Sequence, residues 1–192
     1  MSDYGHDLLF GAFITPLAQP AHHAVDLAIA AERAGLDLVT FQDHPYQPAF
    51  HDTWTLLSYV AARTNHVHLS GNVLNLPLRQ PAVLARSVAS LDRLAGGRVE
   101  LGLGAGAFWD AIAAMGGRRL KPGEAVQALD EAIDIVRGLW DTGEPRPLRS
   151  EGTYYRVDGA ERGAPPAHDI PIWIGGRRPR PPRPLGGQAG GR

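Results

Sequence analysis

Residues Arg98-Val99-Glu100-Leu101-Gly102-Leu103-Gly104-Ala105-Gly106 decide the fold. Arg98 to Leu103 has the length and apolar content of a buried strand, and it runs straight into a glycine-rich bend. A helical pattern precedes it. Pro81 stands at a tolerated first-turn position, Leu84, Val88 and Leu91 fall on one face, and Ala95-Gly96-Gly97 closes the element. A longer helix follows, Pro122 to Trp140, with Val126, Leu129, Ile133, Val136 and Trp140 on its apolar side.

The same alternation extends outward in both directions. Leu8 to Ile14 is a nearly continuous apolar run, expected to be a strand covered on both faces, and Thr15-Pro16 ends it. Ala21 to Ala34 is helical in period through Val25, Ala28, Ile29 and Ala31, with Gly35 as its cap. Leu36 to Phe41 is a second strand. Asp52-Thr53 starts a helix that places Trp54, Leu57, Val60 and Ala61 inward, and His66 to Leu74 is a third strand. Glu144 to Asp158 reads as a hairpin turning near Glu151-Gly152, and Ile170 to Ile174 as a fifth strand of the main series. Strand alternating with helix predicts an α/β fold on a parallel sheet. Open sheet and barrel share this pattern, and both place function at the C-terminal strand ends. Those ends read Thr15-Pro16, Gln42-Asp43-His44, Asn72 to Asn75, Gly104-Ala105-Gly106 and Gly175-Gly176.

Composition removes several classes of function. The 192 residues are 44% hydrophobic and include no cysteine, which excludes disulfides, thiolate metal sites and cysteine nucleophiles. No apolar run reaches the roughly 20 residues of a membrane span. The acidic start, Met1 to Asp7, is unlike a signal peptide, so a cytoplasmic protein is expected. Without the last 16 residues the chain has 14 basic and 20 acidic groups, a balance that favours neither nucleic acid nor membrane as partner.

Two motifs invite chemistry. Gly102 to Ala107 fits a degenerate dinucleotide-binding turn, with Glu124 as an acid further on. Its position in the fourth βα turn makes a nicotinamide-binding Rossmann site the weaker reading; a flavin or phosphate approaching bare backbone is the better one. His44 leaves the second strand beside Asp43, a carboxylate placed to orient its ring. The pairs His22-His23 and His66/His68 lack further ligands nearby, so no metal is expected. Trp54, Trp140 and Trp173 read as core, whereas Trp109, after the glycine bend, is a candidate aromatic wall.

Four stretches together resemble the bacterial luciferase-like flavin-dependent oxidoreductases, including their deazaflavin (coenzyme F-420) branch. They are Ala30 to Asp37 leading to Asp43-His44, Gly71 to Ala85, Leu91 to Gly106, and Ile172 to Gly175. The resemblance implies a TIM-barrel fold with a flavin ring at the C-terminal mouth, reduced FMN as cofactor or alternatively coenzyme F-420, and a small organic substrate. It places His44 as the proton-transfer residue. It places Asp43, Asn72, Val73, Asn75, Ala105, Gly106, Asp110, Gly175 and Gly176 at cofactor-contact positions, and a non-prolyl cis peptide at Asn72-Val73. A homodimer through the second and third helices is the family's usual contact. In the deazaflavin sugar dehydrogenases of this family a glutamate acts as general acid directly after the glycine turn; here that position is Ala107.

Residues 1–176 are expected to form one incomplete barrel of about five parallel strands, against the eight strands and about 250 residues of a whole one. Arg177 to Arg192 is expected to be a disordered basic tail, since Arg, Pro and Gly make up 13 of its 16 residues. A functional proline-rich tail and a reading-frame shift in GC-rich DNA both account for it, and the abrupt change inside a family motif favours the second. An incomplete barrel has apolar open edges on its first and fifth strands and lacks the phosphate cup after strands seven and eight. Weakened flavin affinity is therefore expected, and a catalytically inactive fragment is the alternative to a working oxidoreductase.

Overall fold

The computed structural model describes residues 8–176, so the expected tail lies outside the described residues. Strands β1 (Gly11–Ile14), β2 (Leu38–Phe41) and β3 (His68–Gly71) pair in parallel. Strands β4 (Leu74–Asn75), β5 (Leu101–Gly104) and β8 (Ile172–Gly175) form a second parallel group, in the order β4-β5-β8. A parallel bridge between Leu69 and Val99 joins the two groups, with Leu69 N–H donating to Arg98 O at 2.8 Å and Glu100 N–H to Leu69 O at 2.9 Å. β3 and β4 are thus two pieces of one interrupted strand. The neighbour order follows the chain order with no reversal, as barrel closure requires and as a dinucleotide-binding open sheet does not. Five parallel strand positions are present, as expected.

Helices α1 (His23–Arg33), α2 (Thr53–Ala61), α3 (Pro81–Leu94) and α5 (Pro122–Trp140) occupy the crossovers. A six-residue helix, α4 (Trp109–Ala114), follows β5. The expected cap of α2 forms, Asp52 Oδ2 accepting the Thr55 N–H at 2.8 Å; α3 is capped by Gln80, whose Oε1 accepts the Val83 N–H at 3.0 Å. Glu124, which a dinucleotide reading needs near a ribose, instead accepts the Lys121 N–H at the start of α5, at 2.8 Å.

The core lies between sheet and helices. Leu69, Val99, Leu101 and Leu103 are fully buried there with Val60, Val88 and Ile135. Alternation along the strands turns Ser70, Gly102 and Gly104 to the opposite face. α5 departs from expectation at Val126, which is 63% exposed. Ala125, Ala128 and Ala132 let α5 approach α3 closely, and this moves the buried stripe away from Val126. The Trp140 indole N–H ties the two helices by donating to Ala85 O at 2.9 Å.

Two further expectations fail for one reason. Phe13 is 58% exposed and Trp173 37% exposed, although both read as core. β1 pairs only with β2, and β8 only with β5, so among the described residues each of these outer strands has one unpaired edge and no neighbouring strand to cover it there. The hairpin forms as β6 (Leu148–Glu151) and β7 (Arg156–Ala160), with Tyr154 and Tyr155 in its turn rather than its strands.

Candidate active site

The C-terminal ends of β2, β4, β5 and β8 converge on a cleft of about 170 Å³. Asp43, His44 and Tyr46 enter it after β2. Val73, Leu74 and Asn75 come from the interrupted strand, Gly104 to Phe108 from the β5 end, and Gly175 from β8. Seven residues nominated from the sequence therefore share one site: Asp43, His44, Val73, Asn75, Ala105, Gly106 and Gly175. Three do not line it. Asn72 is exposed, Asp110 is exposed and pairs with Arg119, and Gly176 stands in open space.

Asp43 organises the floor. Its side chain is buried; Oδ2 accepts the Asn75 N–H at 2.8 Å and Arg79 Nε–H at 2.9 Å, and Oδ1 accepts Arg79 Nη2–H at 2.8 Å. This bidentate fork compensates a buried carboxylate with a planar cation. Burial by itself lowers the Arg79 guanidinium, but Asp43 and Asp52 outweigh it and hold the group above its ordinary value.

The expectation that Asp43 orients His44 is therefore not met, because both carboxylate oxygens are engaged elsewhere. His44 is held by Tyr46: Nδ1 lies 2.7 Å from Tyr46 Oη. Phe108 meets the imidazole edge-on, with centroids 5.3 Å apart at 86°. Phe108 thus takes the wall position expected of Trp109, whose ring packs beneath Gly106 instead. Burial and the Asp43 charge push the Tyr46 phenol above its ordinary pKa, against the lowering influence of the Asn75 side chain.

The glycines serve a different neighbour from the one expected. A Cβ at Gly104 would stand 2.5 Å from Val73 Cγ2, one at Gly175 2.7 Å from the same atom, and one at Gly102 2.2 Å from Gly71 O. Gly104 and Gly175 are partners across β5 and β8, so the Val73 side chain fills the slot between them. The Asn72–Val73 peptide that aims it is cis, as the resemblance implies. Bare backbone here accommodates a protein side chain first; only Gly106, with φ +100°, serves a bend.

A larger apolar hollow of about 310 Å³ lies between α1 and α2, lined by His22, His51 and Tyr59 among others. Its polar atoms are used locally: His51 Nε2 contacts Ala21 O, and Asp52 caps α2. Among the described residues no three metal-type side chains come together; His68 pairs with Glu100 and His168 with Asp92.

Parallel βα units in sequential order, with polar groups gathered at the C-terminal strand ends, define a TIM-barrel-type α/β protein. More particularly, the chain belongs to the luciferase-like monooxygenase family, whose sequence model matches residues 5–183. The F-420-dependent glucose-6-phosphate dehydrogenase of Nakamurella multipartita is 36% identical over 173 residues, covering 86% of this chain and 50% of that protein. An F-420-dependent secondary alcohol dehydrogenase, solved in complex with an F-420–acetone adduct, superimposes with a TM-score of 0.77 at 25% identity, over 86% of this chain and 51% of that one. The FMN-complexed oxygenating constituent of 3,6-diketocamphane monooxygenase from Pseudomonas putida shares the fold, with a TM-score of 0.69 at 23% identity over 87% of this chain and 51% of that one. The chain spans about half the length of the curated relatives it matches. Among the described residues no helix is long and apolar enough to cross a membrane.

Proposed function

We propose that this chain supplies the ring-binding cleft of a luciferase-like oxidoreductase that uses coenzyme F-420, with FMN as the alternative, on a small organic substrate. The observation that carries this reading is the convergence of His44, Tyr46 and Asn75 on one cleft walled by Val73 and the 104–106 backbone. The cleft suits such a group. Asn75 Oδ1 is buried and has no hydrogen-bond partner among the described residues, an acceptor matched to the N–H edge of a flavin or deazaflavin ring. The 36%-identical relative, named for F-420, puts that cofactor first.

A bound ring supplies the redox chemistry. Val73 and the glycine backbone would hold its face, Asn75 would orient its polar edge, and Asp43 with Arg79 would keep Asn75 in register. Phe108 shields the site from water on one side. His44 is left to hold or deliver a proton at Nε2. Ala107 lines the cleft and brings no carboxylate to share that task. No lysine or arginine lines the cleft, which supports a ring rather than a phosphate group as its occupant.

Fluorescence titration of the purified chain with coenzyme F-420 and with FMN tests this reading. A saturable change with either supports it, and the tighter binder names the branch. No saturable change with either, from a chain shown folded by circular dichroism, overturns it. Saturable binding without turnover of any carbonyl or alcohol substrate would mark the chain as an inactive fragment.

Self-association through α2 and α3 belongs to the same proposal. A groove of about 580 Å³ runs between them, floored by Ser58, Ala61, Ser87 and Ser90, and Leu94 at its edge is 86% exposed. Leu94→Asp is expected to convert a dimer to a monomer in light scattering; a monomeric parent chain contradicts it.

A further inference from the structure

Tyr46 has one proton to give and few places to give it. Its phenol is pushed above an ordinary value of 10.0 by burial and the Asp43 charge, so it stays protonated at neutral pH. Among the described residues its one hydrogen-bond partner is His44 Nδ1, at 2.7 Å. Asn75 Oδ1 accepts from nothing among the described residues, so the phenol proton does not go there. Asp43, whose oxygens receive Arg79 and the Asn75 N–H, makes no hydrogen bond with Tyr46 among the described residues. The phenol proton therefore points at Nδ1. An imidazole whose Nδ1 accepts a hydrogen bond carries its own proton on Nε2 when neutral. Nε2, at the other end of the ring, makes no hydrogen bond among the described residues.

We propose that Tyr46 is a positioning residue that locks neutral His44 in the Nε2–H tautomer, so that the ring presents a hydrogen-bond donor to the reactant. This rests on the proposed function only in placing His44 at the reacting end of the cleft. The matching reactant atom is an oxygen acceptor, a carbonyl oxygen above all. A hydroxyl proton would find no lone pair on Nε2 to receive it, so the resting site is set for a carbonyl compound rather than an alcohol.

The test needs no cofactor and so fails separately from the proposed function. Long-range proton–nitrogen correlation spectra of the uniformly ¹⁵N-labelled chain at pH 8, with His44 assigned by loss of its signals in His44→Gln, report the tautomer directly. The expected result is a pyridine-type Nδ1 and a pyrrole-type Nε2. In Tyr46→Phe the two nitrogen shifts move toward each other as the tautomers mix, while amide signals remote from the cleft stay in place. A pyrrole-type Nδ1 in the parent chain overturns the proposal, and so does an unchanged pair of shifts in Tyr46→Phe. Should Tyr46→Phe fail to fold, the parent tautomer alone decides.

Discussion

Asp43 and Arg79, 36 residues apart in the chain, form a bidentate ion pair beneath the cleft, with Nε and Nη2 at 2.9 and 2.8 Å from the two carboxylate oxygens. Breaking one side of such a pair leaves an uncompensated buried charge. Arg79→Ala is expected to cost about 3–5 kcal/mol of folding stability. Arg79→Lys should recover only part of that, because an ammonium cannot reproduce the fork. Urea unfolding at constant m-value measures both; a loss below about 1 kcal/mol for Arg79→Ala would contradict a buried, working pair.

Val73 and Gly104 are fitted to one another. A methyl at 104 lands 2.5 Å from Val73 Cγ2, so Gly104→Ala should destabilise by about 1–3 kcal/mol through overpacking. Val73→Ala removes the clashing atom, and the double variant should regain much of the Gly104→Ala loss. Additive losses in the double-mutant cycle would show that the two residues are not packed on each other.

Stability should fall on the acid side. Burial raises the Glu32 carboxyl, but the N–H groups of His66, Val67 and Asn65 outweigh it, and the net pKa lies below the ordinary 4.5. Glu131 behaves alike, with burial opposed by the N–H groups of Tyr154, Tyr155 and Thr153. A carboxyl depressed in the folded state contributes stability that is fully present above its unfolded pKa and lost as pH falls through the folded value. The unfolding midpoint is therefore expected to hold near neutral pH and to drop from about pH 5 downward. Glu32→Gln should flatten that drop; a slope equal to the parent's would remove Glu32 from the account.

The two faces of α5 should respond oppositely. Val126→Lys is expected to change stability by no more than about 0.5 kcal/mol. Ile133→Ala, at a site only 3% exposed, is expected to cost about 2–5 kcal/mol. Thermal or urea unfolding separates them, and a large loss at Val126 would mean that another surface covers it.

Much of this architecture is legible in the chain itself, because α1, α2, α3 and α5 declare themselves through their period, most of them with a cap as well, and each strand of the main series ends at a glycine, a proline or polar residues. The cleft is legible in outline for the same reason, since Asp43, Val73, Asn75 and Gly104 all stand at strand ends. Partners across the chain are not. Nothing near Asp43 announces Arg79, nothing in Glu32 or Glu131 announces the distant loops whose N–H groups they receive, and local adjacency suggested Asp43 rather than Tyr46 as the support of His44. Glycine is ambiguous in the same way: Gly104 reads as room for a ligand, and only three-dimensional packing shows Val73 occupying that room. Exposure of Phe13 and Trp173 depends on what lies beyond an outer strand, which no local pattern records.

Mapping amide shifts while coenzyme F-420, and separately FMN, is titrated into the ¹⁵N-labelled chain tests the central claim most directly. The account predicts saturable shifts confined to His44, Tyr46, Val73, Asn75 and residues 104–108, with His22, His51 and Tyr59 unmoved. Shifts centred on the hollow between α1 and α2, or none from either cofactor, would contradict it.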